Sequence, residues 1–206
     1  MVMKLVVLFF SIFLSACSWL EPEWDPTEVT FYLHYYKQEC DSGLCYRYRE
    51  DEADSYASLT ETIEGFSGYE WGKNYTLLVE EQKKGSGRDR DLSLIRIISD
   101  ELVGTGSSST FALTLTTSKG AITVGNGSDI HNLYVEKPFL CVGDDCTEID
   151  SAEESKAKLS VEFQLADDLS GDLLLKEVKC KSSDNDFASE CEGENEDTYY
   201  IAPFKT

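Results

Sequence analysis

Apolar and polar residues alternate with a period of two through most of the chain, as they do in strands with one face on a core. In Val29–Gln38, Phe31, Leu33 and Tyr35 fall on one face and Tyr32, His34 and Tyr36 on the other. Tyr46–Arg49 alternates again and reads as the return strand of a hairpin, and Tyr75, Leu77 and Val79 mark a further strand. Leu92–Ser99 is strongly apolar, with Leu92 and Leu94 on one face and Ile95 and Ile97 divided between faces by dense packing. Phe111, Leu113 and Leu115 alternate with threonines, and Ile122 and Val124 follow. Leu133, Val135 and Phe139-Leu140 are strand material around Pro138, a residue that belongs at an edge or strand end. Leu159, Val161, Phe163 and Leu165 alternate without error, Leu173–Lys179 gives a last long strand, and Tyr199–Phe204 a closing edge. Helical pattern is scarce: Thr147–Lys158 is the best candidate, with a single helical turn near Tyr56–Leu59.

The breaks in this pattern set the organisation. Lys83–Asp91 is a loop by composition, Lys119-Gly120 and Asn126-Gly127 are turns, and Asp100–Thr110 reads as a domain boundary or long crossover. The expectation is a mostly β fold, with α+β as the alternative: two small antiparallel β domains, over residues 26–103 and 108–206, with disulfide-closed turns. The second half repeats the plan of the first, a C-x4-C turn, an acidic stretch and two apolar strands, so a divergent repeat is a further expectation.

The N-terminus follows a different rule. Lys4 precedes the apolar run Leu5–Leu14, which has secretory length and is too short to span a bilayer. Leu14-Ser15-Ala16-Cys17 resembles the lipobox of bacterial lipoproteins. That resemblance implies a signal peptide over 1–16, cleavage before Cys17, and a thioether-linked diacylglycerol and N-acyl chain on Cys17. Several acyl chains hold a protein on a membrane where one chain binds only marginally. Ser18 in place of Asp favours the outer membrane by the same analogy, and the polar stretch 17–28, with Pro22 and Pro26, reads as a lipidated tether.

Composition agrees with export to a cell envelope. The 206 residues carry a formal charge of −21, which becomes −22 once Lys4 leaves with the leader. Such acidity disfavours nucleic acids and anionic membrane surfaces as partners, while the 12% aromatic content argues for a packed core rather than disorder. Six cysteines remain after Cys17, an even number that suits a disulfide framework in an oxidising compartment. Proximity pairs Cys40 with Cys45, Cys141 with Cys146, and Cys180 with Cys191. Zinc is the alternative for clustered cysteines, but His34 and His131 stand apart from both C-x4-C pairs.

Within Phe31–Ser99, the pair Cys40/Cys45, the run Ile63-Glu64-Gly65-Phe66, Tyr69-Glu70 with Gly72, Tyr75–Val79 and Leu92–Ile98 resemble DUF4377, a domain family common in bacterial lipoproteins. Two departures stand out: Trp71 where the family usually has Pro, and Lys83–Asp91 in place of an Asn-Pro-Pro loop. The resemblance covers about a third of the chain. It implies a small β-rich domain and brings no activity with it.

Candidate chemistry is sparse. A Ser/His/Asp triad needs an oriented histidine, and His34 and His131 both fall on or beside predicted strands, where sheet packing is the simpler role. No G-x-S-x-G, H-E-x-x-H or phosphate-loop pattern occurs. Glu64 and Glu70 are the carboxylates inside a recognisable motif, and Glu64 is expected to be half-buried and hydrogen-bonded. Asp184-Asn185-Asp186 opens like a calcium loop but has Ser189 where Gly should stand; Asp144-Asp145 and Asp167-Asp168 are weaker calcium candidates. Tyr32, Tyr36, Tyr46 and Tyr48, with Arg47 and Arg49, form either a flat binding face or cross-strand aromatic packing. The leading expectation is a non-enzymatic envelope lipoprotein that binds an envelope or extracellular protein or glycan, with no resident cofactor. A carboxylate-based envelope hydrolase and a calcium-stabilised adhesion module are the alternatives.

Overall fold

A computed structural model describes residues 25–84, 89–104, 109–127, 129–166, 172–183 and 185–191. The chain is mostly β, in two six-stranded sheets. The first is built from β1 (Thr27–Cys40), β2 (Gly43–Arg49), β3 (Ala57–Leu59), β4 (Ile63–Glu64), β5 (Lys73–Lys83) and β6 (Arg90–Leu102), in the spatial order β3-β2-β1-β5-β6-β4. The second contains β7 (Thr110–Thr116), β8 (Ile122–Gly127), β9 (Ile130–Leu133), β10 (Lys137–Leu140), β11 (Lys158–Leu165) and β12 (Leu173–Ser182), in the order β7-β11-β12-β10-β9-β8. A 3-10 turn (Thr117–Lys119), helix α1 (Asp144–Ser155) and the short α2 (Phe187–Glu190) complete the described elements. Pairing is antiparallel except for β4 with β6 and β10 with β12.

β1 is shared between two cores. Its first half alternates as the sequence predicts, sending Phe31 and Leu33 into a cluster with Leu59, Ile63, Phe66, Tyr75, Leu77, Val79 and Leu92. A bulge between Leu33 and Lys37 then breaks the period. Tyr35 and Tyr36 are both buried as a result, and they enter the core of the second sheet among Phe111, Phe163, Leu159 and Ile149. Trp71 joins them. At the turn that carries Trp71, Gly72 has φ +92°, and an added Cβ would lie 3.3 Å from Leu165 Cδ1. Its N–H donates to Tyr35 O at 2.8 Å and its carbonyl accepts from Val103 N at 2.9 Å. A glycine is needed here for both conformation and space.

Several expectations are corrected. Tyr56–Leu59 is not a helical turn: Ala57–Leu59 pairs with β2 and buries Leu59, a tertiary contact that a three-residue run cannot announce. The loop expected at Lys83–Asp91 is shorter, because Lys83 and Arg90 still pair across the β5–β6 hairpin. The break expected from Asp100 begins later, since Asp100 and Glu101 pair with Tyr75 and Asn74. Ile95 and Ile97 are not densely packed: bulges in the β5–β6 ladder leave Ile95, Ile97 and Ile98 at 43–45% exposure. Val135 is not in a strand. Tyr134 and Val135, both at positive φ, turn β9 into β10, closed by Glu136 N–H to Leu133 O at 2.8 Å; the primed-turn twist prevails over β propensity. The helix expected at Thr147–Lys158 starts at Asp144 and ends at Ser155. Asp144 and Asp145 complement its N-terminal dipole, and Lys156 in the left-handed region stops it. Tyr199–Phe204 lies outside the described residues.

Among the described residues there are three disulfides, Cys40–Cys45, Cys141–Cys146 and Cys180–Cys191, with Cα separations of 5.8, 5.5 and 5.8 Å. The two C-x4-C pairs sit in different settings: Cys40–Cys45 clamps the β1–β2 hairpin, whereas Cys141–Cys146 joins the end of β10 to the first turn of α1. Replacing Cys40 and Cys45 together with serine is expected to cost about 2 kcal/mol, from the entropy of a six-residue loop, read as a lower urea midpoint at unchanged m-value.

Candidate functional site

The register of the first sheet lines up a polar row on the face opposite its core. Arg49 in β2 pairs with Tyr32 in β1, Tyr32 with Thr76 in β5, and Thr76 with Ser99 in β6. Paired residues share a face, and Tyr32 alternates with the buried Phe31 and Leu33, so these four side chains project outward. The neighbouring pair Asn74 and Glu101 extends the row. The segment after β2 folds back over one end and brings Glu52 and Tyr56 to it. Together these residues line a cleft of about 220 Å³.

Arginine and tyrosine rings build its wall. The Arg49 guanidinium lies 4.8 Å from the Tyr56 ring centre and 5.8 Å from that of Tyr32, within cation–π reach, and its Nη1 donates to Glu52 O at 2.5 Å. Arg47 lies over Tyr36 and Tyr56 at 4.7 and 5.7 Å. His34 meets the edges of Tyr36 and Tyr56 at 4.6 and 4.5 Å between ring centres. Burial, followed by the charges of Arg47 and Arg49, holds its imidazole down to about 3, so it is neutral at physiological pH. Burial raises the Tyr56 hydroxyl against the opposing pull of Arg49 and Arg47, which keeps it a protonated donor.

Two polar atoms of the cleft-lining residues are buried without a hydrogen-bond partner among the described residues: Asn74 Oδ1 and Arg49 Nε. One is an acceptor and the other a donor. Leaving such groups unmet costs about 1–3 kcal/mol each; both atoms are closed to solvent, on side chains whose other atoms line the cleft.

The residues singled out in the sequence divide differently. Ile63 and Phe66 are core residues. Glu64 is exposed rather than half-buried, because β4 turns its alternate face to solvent, and Gly65 makes the following turn at φ +82°. The Tyr69 hydroxyl donates to His34 O at 2.8 Å, and Glu70 is exposed in an ion pair with Lys73 at 2.9 Å. The motif therefore holds the back of β1 in place, and neither of its carboxylates enters the cleft. The proposed aromatic face splits in two. Tyr46 and Tyr48 pack on the core side, while Tyr32 and Tyr36 stay with Arg47 and Arg49. Tyr56, Asn74, Thr76, Ser99 and Glu101 were missed. They are scattered over three segments, and only strand register brings them together.

Other polar clusters serve the fold, with His131 Nδ1 a further buried atom that has no hydrogen-bond partner among the described residues. Arg90 donates from Nε to Glu61 at 3.1 Å, from Nη1 to Glu50 and Glu81 at 3.1 and 3.4 Å, and from Nη2 to the Tyr48 hydroxyl at 2.8 Å. Every nitrogen is committed to the fold. Burial opposes this charge, but the surrounding carboxylates raise the Arg90 pKa above its ordinary value. His131 is 1% exposed, stacks on Phe139, and ties β9 to α1 through Asp150 at 3.0 Å, a sheet-packing histidine as expected. Among the described residues, no group of three or more His, Cys, Asp or Glu side chains is placed to hold a metal ion. Of the calcium candidates, Asp145 Oδ1 accepts from Val178 N at 3.1 Å and Asp186 Oδ2 from Ser183 Oγ at 2.6 Å, while Asp167, Asp168 and Asp184 lie outside the described residues. Cys17 also lies outside them. No described helix is long and apolar enough to cross a membrane. Comparisons with family models, curated proteins and solved structures give no match.

Proposed function

We propose that this protein is an envelope lipoprotein, lipid-anchored at Cys17 to the outer membrane, whose body binds a partner without catalysis through the cleft between Tyr32, Arg49, Tyr56 and Asn74. In this reading the first half is a DUF4377-like domain. The observation that carries the binding role is the cleft itself, an aromatic wall set against a floor of strand-borne polar side chains. The three disulfides support export, since such bonds persist in oxidising compartments. The acidic body suits a position held away from anionic headgroups by the 17–28 tether.

Two measurements test the reading. Cys17→Ser should move the protein from the membrane to the soluble fraction and abolish incorporation of labelled palmitate; continued membrane association without label would remove the anchor. A photoreactive phenylalanine analogue at position 56 should capture a recurrent envelope component in cells. Capture from an analogue at the exposed Val142, with none from position 56, would place binding elsewhere.

A further inference from the structure

We infer that the cleft takes one pyranose unit of an uncharged glycan chain; this rests on the binding role just proposed and names its ligand. Five features of the cleft select this chemistry. Its volume, about 220 Å³, is that of a single sugar ring rather than a folded peptide segment. Its wall is aromatic: Tyr56 and Tyr32, the rings under Arg49, offer faces on which the C–H side of a pyranose packs, while a tyrosine keeps a polar tip for water or hydroxyl. Its floor is a ladder of short polar side chains, Thr76, Ser99 and Asn74, with Glu101 at the rim. Neighbouring strands lie about 4.8 Å apart, so Thr76 and Ser99 are spaced like hydroxyls on opposite sides of one sugar ring. The floor complements the ligand: a sugar hydroxyl both donates and accepts hydrogen bonds, as do the Thr76 and Ser99 hydroxyls and the Asn74 amide that line the cleft.

Charge narrows the class further. A body of net charge near −22 repels polyanions such as phosphorylated or uronic-acid polymers. Glu52 and Glu101, the two carboxylates on the rim, would face an anionic sugar directly. An uncharged hexose or N-acetylhexosamine unit meets the polar floor and the tyrosines without that cost.

The test uses the full-length chain purified in a detergent with no sugar headgroup. Chitotriose stands for the peptidoglycan type of backbone, and maltotriose and mannotriose for hexose polymers of capsule or surface polysaccharide. Titration is followed by isothermal calorimetry and by saturation-transfer NMR on the sugar. The expected result is saturable one-to-one binding of either the N-acetylated or the hexose arm, and whichever arm binds identifies the source. Tyr56→Ala and Asn74→Ala should each weaken it about tenfold, equivalent to about 1.4 kcal/mol. Tyr56→Phe should retain most of it, which separates lost ring stacking from lost folding, and the melting temperature of each variant checks the fold. No saturable binding of any of the three sugars at millimolar concentration overturns the inference, as does binding unaffected by both alanine variants. If the sugars fail while photocapture from position 56 still recovers an envelope protein, the glycan assignment falls and the binding role stands. Failure of both removes the cleft as a site.

Discussion

Acidifying the protein from about pH 6.5 to about pH 4.5 is expected to cost it about 1.4 kcal/mol of stability per pH unit through His34. The sign follows from the position of the ring. In the unfolded chain an imidazole takes up its proton near 6.5. In the folded protein, burial and then the positive charges of Arg47 and Arg49 hold that pKa down to about 3. Between these values the unfolded state binds one proton more than the native state, so stability is full above about 6.5 and falls steadily as the pH drops toward 3. Depressed carboxylates add an acid limb of their own. Burial pushes Glu61 up, but bonds from its own backbone and from Arg90 bring it below its ordinary value, so its contribution is lost only in more acidic solution. The window above pH 4.5 therefore separates the two. His34→Gln keeps a neutral polar side chain and cannot charge. Urea unfolding of both proteins across that window should show a difference that grows by about 1.4 kcal/mol per unit of acidification. Parallel profiles would mean that His34 protonates in the native state with little penalty, and the Arg–Tyr wall of the cleft would then be far more hydrated than its packing implies.

The strands were legible because their chemistry is local. Phe31, Leu33, Tyr75, Leu77, Val79 and the run Leu159–Leu165 alternate cleanly, and each buries the face that alternation assigns. Two disulfide pairs were legible because loops of four intervening residues leave few other partners, and Cys180 and Cys191 were the two cysteines left to pair. The sequence pattern failed where tertiary geometry overrules local preference. The bulge after Leu33 buries consecutive residues, Tyr35 and Tyr36, which no period-two reading allows. The bulges in β6 turn Ile95 and Ile98 out to solvent although they look like core. The candidate cleft was half legible. Arg47, Arg49, Tyr32 and Tyr36 stand close in sequence and suggested a face. Asn74, Thr76 and Ser99 are ordinary strand residues in the sequence, and they acquire meaning only when register sets them beside Arg49 and Tyr32. Motif residues drew attention to Glu64 and Glu70, whereas the structure uses their apolar neighbours to pack the sheet.

Phe111→Ala is expected to destabilise the protein by about 3–5 kcal/mol, the range for removing a buried aromatic ring, and to loosen both sheets at once. Phe111 is 2% exposed at the start of β7. Its ring stacks on Tyr36 at 4.2 Å between centres and lies 5.9 Å from both Tyr35 and Trp71, all residues of the first half. On its own side it lies 6.0 Å from Phe163 in β11. The Tyr35 hydroxyl donates to Thr110 O at 3.3 Å, and Thr116 N donates to the Glu39 carboxylate at 2.6 Å, so β7 is fastened to β1 at both ends of this contact. A ring held by two tyrosines of β1, by Trp71 on the turn before β5 and by Phe163 of β11 belongs to a core that the two sheets share. Its loss should therefore lower amide protection in β1 and β11 together under native conditions, with one cooperative urea transition. A double-mutant cycle with Tyr36→Ala should show strong non-additivity, since the two rings are in direct contact. Protection lost only in β11, with β1 untouched and the cycle additive, would instead describe two modules that fold separately, with the Tyr36–Phe111 stack as a weak contact between them.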